Sequence, residues 1–126
     1  MKILLSKPGL DGHDVGVKVL AHALKNAGFK VIYTGLRKSV DKILDIAEAH
    51  DVDAIGLSIL SGTHLIIAEN LKQAMEKRNL HFKWVVGGNI PQRDVDALMR
   101  FGPDRVFPTG TQIQDVIIYF DSIKKK

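Results

Sequence analysis

The chain reads as an α/β protein built on one open, doubly wound parallel sheet, and three observations carry that reading. Apolar runs alternate with helix-period segments from one end of the 126 residues to the other. The runs are short, rich in β-branched and aromatic residues, and nearly continuous in apolarity, as strands covered on both faces are. The length suits one core and leaves no room for a second, so residues 1–126 are expected to form one domain. Parallel strands joined by right-handed crossovers then give a flavodoxin-like (Rossmann-like) sheet of five strands in the order 2-1-3-4-5.

The expected strands are "KILLS" (2–6), "KVIYTG" (30–35), "VDAIGLSI" (52–59), "FKWVVGG" (82–88) and "DRVFPTG" (104–110). Between and after them lie "VGVKVLAHALKNAG", "SVDKILDIAEAH", "THLIIAENLKQAMEKRN", "PQRDVDALMRFG" and "TQIQDVIIYFDSIKKK", each with helical character. In the first, Val17, Leu20, Leu24 and Ala27 recur at helical spacing. Gly28 follows where a C′ glycine ends a helix. Ser39 is placed to cap the second helix, and Pro91 suits the first turn of the fourth.

Composition narrows the functions. Hydrophobic residues make up 45% and charged residues 25%, which is ordinary for a globular domain and excludes disordered and collagen-like classes. No apolar run approaches the length of a membrane span and no signal-peptide pattern is present, so a cytoplasmic protein without a membrane is expected. With no cysteine, disulfides, thiolate metal sites and cysteine nucleophiles are excluded. The net charge of +4 comes partly from the terminal "KKK", and no basic stripe interleaved with aromatics accompanies it. Nucleic acid is therefore not an expected partner.

In open parallel sheets ligands gather at the C-terminal ends of the strands, where the strand order reverses. That rule selects "KPGLDGHDVG" (7–16) after strand 1, "SILSGT" (58–63) at strand 3, "GGN" (87–89) at strand 4 and "PTGT" (108–111) after strand 5. Small residues dominate: Ser58, Ser61, Gly62, Thr63, Gly87, Gly88 and Gly110. Singly they suit turns and caps; together they let a large, flat or extended ligand approach the backbone. Nucleotide fingerprints are absent, as are a hydrolase elbow and the acidic residues of a phosphoacceptor site. The five histidines show no pairing at zinc-ligand spacing.

His13 sits at the centre of the first, unusually long loop, between Asp11 and Asp14. One reading is a loop histidine making a single hydrogen bond. The other is a ligating imidazole, its tautomer fixed by Asp11 and the aspartate's charge balanced by Lys7. A lone protein ligand suits a metal that arrives already held by a macrocycle.

Asp11-x-His13-x-x-Gly16, Ser58-x-Leu60 and Gly87-Gly88 together resemble the D-x-H-x-x-G, S-x-L and G-G set of cobalamin-binding domains, and the resemblance covers essentially the whole chain. The loop wording, from Lys7 through Asp11, Gly12, His13, Asp14 and Val15 to Gly16, is most similar to the acyl-CoA mutases, such as methylmalonyl-CoA mutase and relatives with separate small subunits. "GGNI" with "DRVFPTGT" is also similar to the glutamate mutase small subunit, and corrinoid methyl-carrier proteins share the core motif.

The resemblance implies that His13 is the lower axial ligand of cobalt, displacing the cofactor's own dimethylbenzimidazole, with Asp11 and Lys7 tuning it. It also implies that the released nucleotide tail runs down a slot beside the sheet. Gly16 then starts the first helix clear of the tail, Ser58 meets the buried base, and Leu60, with Ser61 behind it, lies near the corrin. Gly87 and Gly88 give the tail room, and Thr109, Gly110 and Thr111 border the slot. The implied cofactor is adenosylcobalamin, and the implied reaction is a radical 1,2 carbon-skeleton isomerisation. A globule with a radius of gyration of about 14 Å cannot also cover the upper face of a corrin. A separate, large barrel-type subunit is expected to close the site and to hold most of the acyl-CoA substrate. None of this chain's residues is expected to act as a substrate acid or base.

Overall fold

The computed structural model describes residues 1–8, 15–59 and 63–123, the side chains of Val15, Leu36 and Arg37 excepted. Strands β1 (Lys2–Pro8), β2 (Lys30–Lys38), β3 (Ala54–Ile59), β4 (Lys83–Gly88) and β5 (Arg105–Phe107) alternate with helices α1 (Val15–Asn26), α2 (Val40–His50), α3 (His64–Arg78), α4 (Val95–Met99) and α5 (Ile113–Ile123). All neighbouring strands pair in parallel, in the order β2-β1-β3-β4-β5, which is the expected fold.

Local chemistry explains where the elements stop. Beyond α1, Gly28 takes φ +100°, a conformation that side-chain-bearing residues rarely adopt. Its N–H bonds the Lys25 carbonyl at 3.0 Å, and the Phe29 N–H bonds the Leu24 carbonyl at 3.1 Å. This is the paired C-terminal closure that glycine favours. At α2, the Ser39 hydroxyl accepts the Lys42 N–H at 3.1 Å, as a capping serine does.

Some boundaries differ from the sequence pattern. Strand β1 continues past Ser6 because Lys7 and Pro8 still pair with Leu36 and Lys38, across two shifts of register. Strand β3 starts at Ala54 because Asp53 is used to anchor the strand ends: its N–H bonds the Lys2 carbonyl at 2.8 Å and its carboxylate accepts the Lys2 N–H at 2.7 Å. Strand β5 stops at Phe107 because Pro108 has no N–H, and its carbonyl accepts the Thr111 N–H and hydroxyl in a turn. Pro91 precedes a 3-10 turn, Gln92–Asp94, rather than opening an α-helix, which leaves α4 only five residues.

The sheet has a core on each face. Leu4, Ile55, Leu57, Trp84 and Val86 pack with Ile43, Leu44 and Ala47 of α2, Ala68 and Leu71 of α3, and Leu98 of α4. On the other face Ile3, Leu5, Ala54, Val85 and Phe107 pack with Val17, Ala21 and Leu24 of α1 and Val116 and Phe120 of α5. Among the described residues no helix is long and apolar enough to cross a membrane.

Two substitutions test these closures by urea denaturation. Gly28→Ala, forced to positive φ, is expected to lower stability by about 1–2 kcal/mol. Ser39→Ala, which removes the cap, is expected to lower it by about 1 kcal/mol.

A slot at the edge of the sheet as the candidate functional site

Alternate residues of β3 face the α1–α5 side, and on that side its sequence is Ala54, Gly56, Ser58. The pairing sets Leu5 of β1 and Val85 of β4 on either side of Gly56, and Gly87 beside Ser58. Side-chain bulk therefore falls away along the middle of the sheet toward the C-terminal edge. Leu5 leans over Gly56, where a Cβ would meet Leu5 Cδ2 at 2.8 Å, while helices α1 and α5 rest on the larger flanking side chains and leave space toward Ser58 and Gly87.

The result is a cavity of about 220 Å³. Leu5, Gly56, Ser58, Val85 and Gly87 form its floor, Gly16, Val17 and Leu20 of α1 one wall, and Ile113, Val116 and Phe120 of α5 the other. Gly88, Phe107, Pro108, Gly110 and Thr111 line it at the edge, and Leu57 also borders it. Among the described residues a Cβ at Gly16 or Gly110 would meet nothing within 4 Å, so with respect to them the mouth is open at both glycines. Thr111 spends its hydroxyl on the Pro108 carbonyl at 2.7 Å. Ser58 is thus the lining hydroxyl without a hydrogen-bond partner among the described residues. An apolar slot with a single available hydroxyl admits a largely apolar group that carries one hydrogen-bonding atom.

The residues singled out in the sequence distribute unevenly around this slot. Gly16, Ser58, Gly87, Gly88, Gly110 and Thr111 all line it. The two adjacent glycines have different surroundings. A Cβ at Gly87 would press on Phe107 at 3.3 Å, whereas one at Gly88 would lie 2.5 Å from the Ile59 carbonyl oxygen, at φ +120°. Gly88 is required by the close approach of β4 to β3 itself. Thr109 is outside the lining and bonds the Asn89 side-chain oxygen at 2.9 Å and the Ile90 carbonyl at 3.1 Å. Lys7 is buried, at 3% exposure, near the end of β1. Val15 is the first residue of α1. Asp11, Gly12, His13, Asp14, Leu60 and Ser61 lie outside the described residues. Among the described residues no group of three or more histidine or carboxylate side chains is arranged to hold a metal ion.

The sequence pattern marks Gly16, Ser58 and Gly87 but not the rest of the floor and walls, Gly56, Leu20, Val116 and Phe120 among them. The available signal was the Ala-x-Gly-x-Ser alternation in β3, which sets three small residues on one face of a central strand.

The B12 binding domain family matches residues 1–118. The 2-hydroxyisobutanoyl-CoA mutase small subunit of Aquincola tertiaricarbonis is 38% identical over 125 residues, covering 98% of this chain and 90% of that protein. Methylmalonyl-CoA mutase of Rhizobium meliloti is 41% identical over 115 residues, but the chain spans only 16% of its length. A cobalamin-binding protein from Desulfitobacterium hafniense DCB-2 shares the fold, with a TM-score of 0.82 and 22% identity over 96% of this chain, which spans 58% of that one.

The two kinds of glycine at the edge give opposite expectations. Gly88→Ala is expected to cost at least about 2 kcal/mol, since backbone rather than a flexible side chain obstructs the new methyl group. Gly16→Ala is expected to be neutral or to stabilise by up to about 1 kcal/mol, because it adds a helix-favouring residue into open space. Denaturant midpoints at matched m-values check both.

Proposed function

The chain belongs to the B12-binding domain family, and from that membership we propose that it is the cobalamin-carrying small subunit of a two-subunit acyl-CoA mutase. The observation that carries this reading is the slot itself. It is apolar, open at Gly16 and Gly110, floored by Gly56 and Gly87, and supplied with one hydroxyl at Ser58. Those features fit a dimethylbenzimidazole-bearing nucleotide tail. They sit at the edge of the sheet beyond which β1 ends and α1 begins.

In this reading His13 would ligate the cofactor's cobalt through one ring nitrogen, and Asp11 would hold the other. Lys7, buried at the foot of the same loop, keeps positive charge near Asp11. Ser58 donates its hydroxyl to the buried base, and Val17, Leu20, Val116 and Phe120 shield that base from water. When bound, adenosylcobalamin supplies homolysis of its cobalt–carbon bond, and with it the radical that a carbon-skeleton rearrangement requires. The chain contributes position and the lower ligand, and no acid or base for the substrate.

The match to a free-standing small subunit over 90% of that protein's length supports the division of labour. A larger partner chain covers the upper corrin face, excludes water and holds the acyl-CoA. Residues 1–126 act as one cofactor module within that assembly.

Three measurements test the reading. The purified chain is expected to take up hydroxocobalamin and to shift its visible spectrum. His13→Ala is expected to weaken that uptake at least tenfold and to abolish nitrogen coordination from below. Gly16→Leu, which fills the mouth of the slot, is expected to weaken cobalamin but not cobinamide, the analogue without a nucleotide tail. Equal loss of both ligands in Gly16→Leu, or unchanged lower coordination in His13→Ala, would contradict the assignment. Turnover of acyl-CoA by the chain without a partner would contradict the subunit role.

A further inference from the structure

On the opposite face of β3 from the slot, a buried imidazole meets a carboxylate. His64 is the first residue of α3 and is 5% exposed, and its Nε2 lies 2.8 Å from Oδ2 of Asp94. The carboxylate comes from the segment after β4, thirty residues along the chain. Burial of an imidazole is costly without a hydrogen-bond partner, and the Asp94 carboxylate supplies one. Asp94 also occupies the N-cap position of α4 and makes no capping bond there. Aspartate at that position ordinarily bonds its own helix. Here the carboxylate is turned to another element, and Thr63, at the N-cap of α3, makes no side-chain capping bond either.

The same segment grips the other end of the β3–α3 connection. The Asn89 N–H bonds the Ile59 carbonyl at 3.1 Å, next to the close approach of Gly88. It is fixed in turn to the β5 loop, where Thr109 bonds Ile90 through its N–H at 2.9 Å. Ile90 is fully buried and anchors the segment to the core. Ile59, at the end of β3, and His64, at the start of α3, are thus both tied to residues 89–94.

We propose that His64 and Asp94 are positioning residues for the corrin-bearing edge: their bond fixes the start of α3, beyond the C-terminal end of β3, relative to the β4 and β5 loops. The inference rests on the cobalamin reading above. It assigns the pair no contact with cobalt or substrate. Losing the bond releases the start of α3 from the β4 segment while the slot on the other face of the sheet remains intact.

The slot and the clamp are thereby separable by ligand. His64→Ala and Asp94→Ala are expected to weaken hydroxocobalamin and cobinamide alike, each at least fivefold, because both ligands carry the corrin. His64→Gln, whose amide N–H reaches toward the position of Nε2, is expected to recover most of the affinity for both. Titrations are run where circular dichroism shows each variant folded. Should His64→Ala not fold, Asp94→Asn keeps the shape, removes the charge and is expected to weaken both ligands at least twofold. A pair that only stabilises the fold would lower the denaturation midpoint and leave both affinities within twofold in the folded protein, which would overturn the proposal. A wild-type chain that binds neither ligand overturns the cobalamin reading itself, and this inference with it. Wild-type binding with unaffected variants overturns the clamp alone.

Discussion

The site depends on a shortage of side-chain volume on one face of one central strand. A parallel sheet covered by helices is normally packed to the density of an organic crystal. Here β3 presents Ala54, Gly56 and Ser58 to α1 and α5, while its other face presents Ile55, Leu57 and Ile59 to a filled core. Gly87 extends the bare strip to the neighbouring strand. The helices cannot descend into it because Leu5, Val85 and Phe107 hold them off on either side. Every apolar contact missing from the strip represents stability forgone, which a ligand with a flat apolar surface can restore on binding. The two faces of one strand thus divide the work between stability and binding.

The loops at the C-terminal edge have a second requirement, which is relative position. Hydrogen bonds run from the β3–α3 connection to the β4 segment and on to the β5 loop, through Ile59, Asn89, His64, Asp94, Ile90 and Thr109. Side-chain polar groups at such an edge could each satisfy their own helix ends. Instead Asp94 and Thr109 bond across elements, which couples three loops into one shelf. A large, rigid macrocycle benefits from such a shelf, since loops that move independently would lose entropy on ordering.

The fold was legible because the chain is locally consistent: apolar runs, Gly28 and Ser39 all point to the observed elements. What was less legible depended on pairing across the sheet. The extension of β1 to Pro8 and the brevity of β5 follow from the neighbours' carbonyls and N–H groups, which no local pattern reveals. The edge of the site was legible from motifs, because glycines and small hydroxyl residues gather at strand ends. Its depth was not, because Leu20, Val116 and Phe120 look like ordinary core residues of amphipathic helices. His64 carried no motif either; a histidine opening a helix reads as surface until Asp94 is seen beside it.

On the proposed function, the imidazole of His13 would ligate cobalt while the slot houses the cofactor's own base. Electron paramagnetic resonance of the cob(II)alamin complex tests it most directly, using protein labelled with ¹⁵N at histidine and unlabelled cofactor. Coordination by the protein's imidazole gives doublet nitrogen superhyperfine splitting in the labelled sample and triplets in the unlabelled one. Triplets that persist after labelling would mean that the cofactor's own base still holds cobalt, and the assignment of both His13 and the slot would be wrong.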